Sequence, residues 1–477
     1  MKISLKIGIY KGKFLMLIRF NVKNVFSFSS KDDGTSEEFS MIAGKVRRDS
    51  GHVHDDGKLK LLKFAALYGA NASGKSNLVK AMDLMRRIVV YRFPEGITDK
   101  YCRTEDENRD RPSYFEVEIM LGEKYYAYGF EIILSQRRFT SEWLVELNAD
   151  GSEREIFVID REKSTYSLSG EINRKDLRGR LEIYAEDISR DTSSLFLTYM
   201  NDGKDYLYSS HESLNILREV FLWIKNSLCI IYPDQMLSSY EYLSIGTKTG
   251  EISSFLTSLG TGITGFDMVE IPAEQALGKM NPSVRGQVAD RLDREMKKLD
   301  EGQEESTSIS MRTRRDFFIF TLRKGSPSVY CSTVRFSHGK NGSLFSLDEE
   351  SDGTVRILDL IEILIGEEGK TFVLDELDRC LHPMLSYKFV ETFLQIAEKR
   401  RIQLIVTTHE SRLMDFDLLR RDEIWFVEKK SDGSSDLYSL EEYNTRFDQK
   451  IDKAYLDGRY GGVPVFSTVF PVGEEIQ

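Results

Sequence analysis

The spacing of apolar positions changes several times along the chain, and each change marks a different kind of element. LIRFNVKNVFSF, residues 17–28, alternates and predicts a strand pair feeding a short loop. FSMIAGKV, flanked by the polar stretches SSKDDGT and RRDSGHVHDDGK, predicts another strand. The unbroken apolar run at 64–68 predicts a buried strand. Leu78, Met82 and Met85 then recur at helical spacing, and Ala81 and Leu84 widen that face. YFEVEIML, YYAYGFEIIL and FTSEWLVELN, between 114 and 147, predict antiparallel strands joined by short polar turns. From about 170 to 310 the pattern predicts mainly helix, with Val288, Leu292, Met296 and Leu299 on one amphipathic face and EGQEESTS (301–308) as a linker. FFIFTLRK and SVYCSTVRF return to strand. The last third alternates: a helix at 354–365, the strand TFVLD, the helix YKFVETFLQIAEKR, the strand IQLIVTT, and a strand near EIWFVEK. That alternation predicts a parallel sheet with crossover helices.

Length and composition narrow the picture. The 477 residues suit one large domain with insertions or two to three ordinary ones, and 40% hydrophobic content supplies a core. Net charge is −11, which does not suit a general nucleic-acid coater. The basic clusters RKDLRGR (174–180), RTRR (312–315) and EKRR (398–401) read as solvated surface and leave DNA open as a ligand without pointing to it. The cysteines Cys102, Cys229, Cys331 and Cys380 are scattered, with neither metal-ligand spacing nor a disulfide framework. No apolar run approaches the roughly 20 residues of a membrane helix. A reducing, cytoplasmic setting away from membranes is expected. The basic stretch before Met16 lacks an apolar core, so Met16 rather than Met1 reads as the physiological start. GHVHDDG (51–57) carries His52, His54, Asp55 and Asp56 but reads as a solvated turn rather than a metal site.

The chemistry concentrates in three strand ends. GANASGKS, Gly69 to Ser76, fits G-x-x-x-x-G-K-[ST] between a predicted strand and a predicted helix. Such a loop wraps backbone N–H groups around phosphates at a helix N-terminus. Gly69, Asn71, Ala72, Ser73, Gly74, Lys75, Ser76 and Asn77 form the expected ATP-binding set, with Lys75 on the β- and γ-phosphates and Ser76 on Mg²⁺. In KTFVLDELDRCLHP an apolar strand ends in Asp375, suited to hold Mg²⁺ through water, and Glu376, suited to orient the attacking water. QLIVTTHE ends in His409, where ligands gather in open α/β sheets and a γ-phosphate contact is expected. The turn Ser351–Asp352–Gly353 reads by itself as a helix cap.

The order of these parts carries a resemblance. Asp375 follows Lys75 by 300 positions, far more than in AAA+ motors or most helicases, and similar to ABC-type ATPases of the SMC and RecF kind. That class places a signature loop about where ESDGTVR stands, with Ser351 preceding Asp375 by 24 positions. YGANASGKSNL, ESDGTVR, LDELDRCLHP and TTHE together resemble the bacterial ATPases of the OLD, RloA and abortive-infection anti-phage defence group. The ending YLDGRYGGVPVF, with Arg459, Tyr460, Gly461 and Pro464, resembles that group too.

The resemblance implies an α/β P-loop NTPase, an ABC-ATPase head with an antiparallel β subdomain and an inserted mainly helical domain. It divides the chain into a lobe at 16–150, an insertion at 151–310 and a second lobe at 311–470. It implies ATP and Mg²⁺ as cofactors and a head-to-tail dimer, or a higher assembly of dimers, in which Ser351, Asp352 and Gly353 reach the γ-phosphate of the partner's ATP. Asp378, and less directly His382, fall in the loop facing that partner; Gln235 is the candidate for a Mg²⁺-sensing glutamine. The implied function is an ATPase whose nucleotide state gates a separate effector, a nuclease or toxin. The 68 residues after His409 are too few for a fused nuclease. The alternative is a RecF- or SMC-like ATPase of DNA repair or DNA loading; a transporter ATPase subunit fits less well, given the antiparallel strands at 114–147.

Overall fold

Asn24 sets the first departure from the expected pattern. One nine-residue strand, β1 (Leu15–Lys23), stands where a strand pair is expected, and the chain then turns with Asn24 and Phe26 at φ 55° and 54°. The Asn24 amide donates to the carbonyls of Asn108 and Arg111 and accepts from the Cys102 N–H, so it stops the strand and ties the turn to a distant loop. The structure is a computed structural model describing residues 15–31, 33–46, 50–148, 151–174, 177–235, 249–302, 305–313, 315–326, 328–339, 343–443 and 451–463. It divides into two units. The first takes the described residues up to Pro233, Glu367–Asp378 and those from Glu391 onward; the second takes Asp234–Gly366 and Arg379–Val390.

In the first unit β1 is followed by β2 (Glu37–Ser40), which overlaps the expected FSMIAGKV strand only at Phe39 and Ser40. A short hairpin, β3 (Val53–Asp55) and β4 (Lys60–Leu62), leads into β5 (Phe64–Tyr68), buried at all five positions. Helix α1 (Lys75–Tyr91) then buries Leu78, Ala81, Met82, Leu84 and Met85, the face expected from the spacing, together with Val79, Ile88 and Val89. Apart from Ala81, each such side chain contributes on the order of 1.5–3 kcal/mol of burial. The antiparallel strands follow as β6 (Ser113–Leu121), β7 (Lys124–Ile133), β8 (Arg138–Leu147), β9 (Glu153–Asp160) and β10 (Thr165–Leu168). They close a seven-stranded sheet in the order β10-β9-β8-β7-β6-β1-β2. Four helices, α2 (Arg178–Arg190), α3 (Phe196–Met200), α4 (Asp205–Ser210) and α5 (Asn215–Leu222), precede β11 (Leu228–Ile231).

The second unit is built on an antiparallel sheet. Helix α6 (Thr249–Ser258) precedes β12 (Ile263–Ile271), and α7 (Ala273–Gly278) and α8 (Pro282–Glu301) precede β13 (Ser306–Arg312), β14 (Phe317–Arg323), β15 (Tyr330–His338) and β16 (Leu344–Ser346). The order is β12-β15-β14-β13, with β16 on β15. Asn281 caps α8 by accepting the Val284 N–H at 2.9 Å, and Leu292 and Leu299 of its apolar face pack with Ile309, Phe318, Phe320 and Leu322. Helix α9 (Asp352–Ile365) ends the stretch.

The chain then supplies the second half of a six-stranded sheet: β17 (Lys370–Leu374), helix α10 (Pro383–Lys399), β18 (Ile402–Thr407), β19 (Ile424–Lys429) and β20 (Ser435–Ser439). The order is β11-β17-β18-β5-β19-β20, parallel at every junction except β19-β20. The carboxyl ends of β5, β17 and β18 therefore open at one edge, each strand followed by one of the three motif loops. Helix α11 (Ile451–Leu456) is the last among the described residues.

The stretch 151–310 is not mainly helical throughout. β9 and β10 extend the seven-stranded sheet, β11 joins the six-stranded one, and β12 pairs with β15. The β12 partners lie 60 or more positions downstream, beyond any local window, and exposed positions interrupt its apolar alternation. Ser306–Ser308, expected in a linker, open β13.

Candidate functional site

The loop after β5 is built around positions that exclude side chains. Gly69 and Gly74 have φ of 155° and 119°, and a Cβ would stand 2.3 Å from the Val427 carbonyl oxygen at the first and 2.3 Å from Ser435 Oγ at the second. Only glycine fits at both. Between them Asn71 and Ala72 are exposed, Ala72 at φ 64°, and Ser73 is buried. Helix α1 starts at Lys75 with no side chain capping it, which leaves its N-terminal dipole facing the loop. The Lys75 ammonium is buried and donates to the carbonyls of Gly69 (2.7 Å) and Ala70 (3.1 Å). Burial lowers its pKa to about 8, against the opposing pull of Asp375, Asp378 and Glu376.

The other two strand ends lock onto this loop. Asp375, buried after β17, donates its N–H to the Ile231 carbonyl, and its Oδ1 accepts two hydroxyls, Ser76 Oγ at 3.0 Å and Thr407 Oγ1 at 2.6 Å. Thr407 Oγ1 in turn accepts the Glu376 N–H at 2.8 Å. Glu376 sits at φ 52°, in the left-handed region where a glutamate is costly, and that strain is held by the bonds on either side of it. Asp378 Oδ1 accepts from Thr408 Oγ1 (2.6 Å) and the His409 N–H (3.1 Å), so its carboxylate joins the loops after β17 and β18 within one chain. His409 is exposed at the strand end. Its imidazole pKa is lowered, by desolvation first and by Lys75 second.

The structure thus brings Gly69–Asn77, Asp375, Glu376, Asp378 and His409 together in the first unit. The Ser351–Gly353 turn and Gln235 belong to the second. Ser351 is the N-cap of α9 and accepts the Thr354 N–H at 3.1 Å, as a helix cap should. The turn is held by Arg315, which donates to the Glu350 carbonyl and the Asp352 carboxylate, both at 2.6 Å, and by His338, 2.7 Å from the Glu350 carboxylate. Gln235 is exposed. His382 Nδ1 accepts the Met384 N–H at 3.3 Å. Pro464 lies outside the described residues.

Several participants carry no signal in the sequence. Ser435, at the start of β20, donates to the Ser73 carbonyl at 2.5 Å and lies 2.8 Å from Ser27 Oγ, which accepts from the Asn77 amide at 2.8 Å. These hydroxyls support the loop from residues more than 40 and 350 positions away. GHVHDDG corrects an expectation in its first half: Asp55, Asp56 and Gly57 are exposed, but the stretch before them is not a solvated turn. Its His52 is hydrogen-bonded at 3.0 Å to the fully buried Glu423, and Val53–Asp55 form β3. The carboxylate that engages His52 is 371 positions away, which no local reading reveals.

A glycine-rich loop between a parallel strand and a helix, with a strand-end aspartate bonded to the loop's serine, is the architecture of an α/β P-loop ATPase. The chain belongs to the family described as "AAA domain, putative AbiEii toxin, Type IV TA system", which matches residues 64–228 and 252–415. That membership implies ATP and Mg²⁺ binding in general. Among solved structures, the chain is similar to an Smc head bound to the C-winged helix domain of ScpA (13% identity, TM-score 0.41, covering 89% of this chain and 97% of that one). It is also similar to an SMC head domain from Thermotoga maritima (14%, 0.35, 89% and 98%). A third is an Smc head domain with an extended coiled coil bound to the C-terminal domain of ScpA, derived from Pyrococcus furiosus (16%, 0.35, 90% and 97%). No curated protein matches the chain. Among the described residues no helix is long and apolar enough to cross a membrane.

Proposed function

We propose that the chain binds and hydrolyses ATP at the Gly69–Ser76 loop, closes head to tail with a second copy around that ATP, and through its nucleotide state gates a separate effector in anti-phage defence. One observation carries the ATPase part: Ser76 and Thr407 converge on one oxygen of the buried Asp375, beside the buried Lys75. Ser76 Oγ and the Asp375 carboxylate are hard oxygen donors 3.0 Å apart, a donor set that suits Mg²⁺, with Asp375 acting through water. Bound there, Mg²⁺ would neutralise charge on the β- and γ-phosphate oxygens. Lys75 leaves the Gly69 and Ala70 carbonyls for phosphate oxygens, exchanging neutral acceptors for charged ones. Glu376, next in the chain after Asp375, would orient and deprotonate the attacking water, and His409 would meet the γ-phosphate.

The family description, naming a toxin of a toxin–antitoxin system, supports the defence reading. The head-to-tail dimer is supported by the resemblance of ESDGTVR to a signature loop, with Ser351, Asp352 and Gly353 acting on the partner's ATP. The test is ATP binding joined to light scattering. Lys75→Ala loses binding by roughly 10- to 150-fold or more, the factor of a charge-assisted hydrogen bond. Ser351→Arg binds ATP but stays monomeric where Glu376→Gln with ATP doubles in mass. A dimer in Ser351→Arg would refute the shared site.

A further inference from the structure

Helix α11 and the turn after it have a place against the glycine-rich loop that the ATPase reading leaves unused. Tyr455 of α11 and Tyr460 of the turn after it both stack on Phe426 of β19, with ring centroids 5.6 and 5.9 Å away. Tyr68, the residue just before Gly69, meets Tyr455 edge-on at 6.1 Å. The Tyr460 carbonyl accepts the Tyr438 hydroxyl at 2.7 Å, which pins the turn to β20. At its tip Gly462, at φ 66°, lies so close to the loop that a Cβ there would stand 3.4 Å from Gly69 Cα. The Tyr455 hydroxyl donates to the Gly462 carbonyl at 3.1 Å. Burial raises the pKa of that phenol, and the Gly69 backbone opposes the rise. Gly69 is also the residue whose carbonyl holds the Lys75 ammonium.

We propose that the turn from Tyr455 to Gly462 is a positioning brace for the glycine-rich loop, fixing Gly69 and so setting the loop amides and Lys75 for the phosphates. Gly69 needs such support because its left-handed backbone has no side chain to anchor it. The contacts that define the brace fall on Gly69 and on Tyr68, Phe426 and Tyr438 of the flanking strands, so it acts on nucleotide affinity and leaves turnover at saturation alone. The functional half of this inference rests on the ATP reading; the structural half does not.

The experiment uses the full chain, with Tyr455→Phe keeping the ring and Gly462→Val crowding Gly69. Amide hydrogen exchange of residues 70–76 is measured without nucleotide, then ATP affinity and steady-state hydrolysis. Both variants should speed exchange in 70–76 several-fold while Ser113–Leu147 stays at the wild-type rate. Tyr455→Phe should weaken ATP binding about 2- to 12-fold, the factor one hydrogen bond is worth, and raise KM with kcat unchanged. Wild-type exchange in both variants overturns the brace. Faster exchange with unchanged ATP affinity overturns its positioning role. A wild-type chain that binds no ATP, with exchange still faster in the variants, refutes the ATP reading and leaves the brace standing.

Discussion

Lys75 and Asp375 sit at the centre of the site, and their settings differ in a way that makes pH informative. Lys75 is buried against carbonyls, which lowers its pKa to about 8 from 10.5. ATP affinity should therefore fall as pH rises through about 8, because the free protein loses the ammonium that meets the phosphates; titration calorimetry from pH 7 to 9.5 measures this. Stability responds with the opposite sign. Between about 8 and 10.5 the unfolded chain keeps a proton that the folded chain has released, so this group makes the fold more stable as pH rises there. The charged members of the site were legible because their types and spacings are rare together: a lysine after a glycine-rich turn, and paired acids at the end of an apolar strand. Thr407, Ser27 and Ser435 were not. A neutral hydroxyl has no period of its own, and these three gain meaning only where the turn after β1 and the strands β18 and β20 bring them to the loop.

At the scale of elements, Glu37 shows how strand packing makes a titrating joint. It is buried in β2, accepts the Leu437 N–H of β20 at 3.2 Å, and is pushed up to about 7 by burial and by repulsion from Asp436. Between 4.5 and about 7 the folded state holds the extra proton, so this joint loses stability as pH rises through that window. Glu37→Gln should raise the melting temperature at pH 8 and change it little at pH 4.5, which thermal denaturation at the two pH values will measure. The turn before α9 depends on Arg315, whose guanidinium spans the Glu350 carbonyl and Asp352. Arg315→Ala should spare ATP binding by single chains yet reduce the ATP-driven dimer several-fold in light scattering; an unchanged dimer would show that the turn needs no clamp. Long helices with one dominant period, α1 and α8, and the unbroken apolar run of β5 were readable from sequence. β12 and β9 were not, because their strand character comes from partners rather than from their own spacing. Asn24 likewise cut an expected strand pair to one through bonds to residues about 80 positions on.

For the whole molecule, the order of motifs told more than any single element. The α/β core with parallel strands flanked by an antiparallel sheet follows from alternation in the last third and β-rich segments at 114–147, while the division into two units crosses the chain at points the composition does not mark. In the proposed assembly the two units meet different partners: the first holds nucleotide and the second presents the Ser351 turn to another copy. Salt-sensitive, ATP-dependent DNA binding would move the function towards DNA repair or loading, a ligand that the net charge of −11 leaves open without pointing to it. The most direct test of the account is steady-state hydrolysis of Mg-ATP by the wild type and Glu376→Gln, with ATP binding measured in parallel. The wild type should turn over ATP, and Glu376→Gln should bind it with similar affinity while hydrolysing it about 100-fold or more slowly, the loss expected for a missing general base. Wild-type turnover in Glu376→Gln would contradict the assignment of the site.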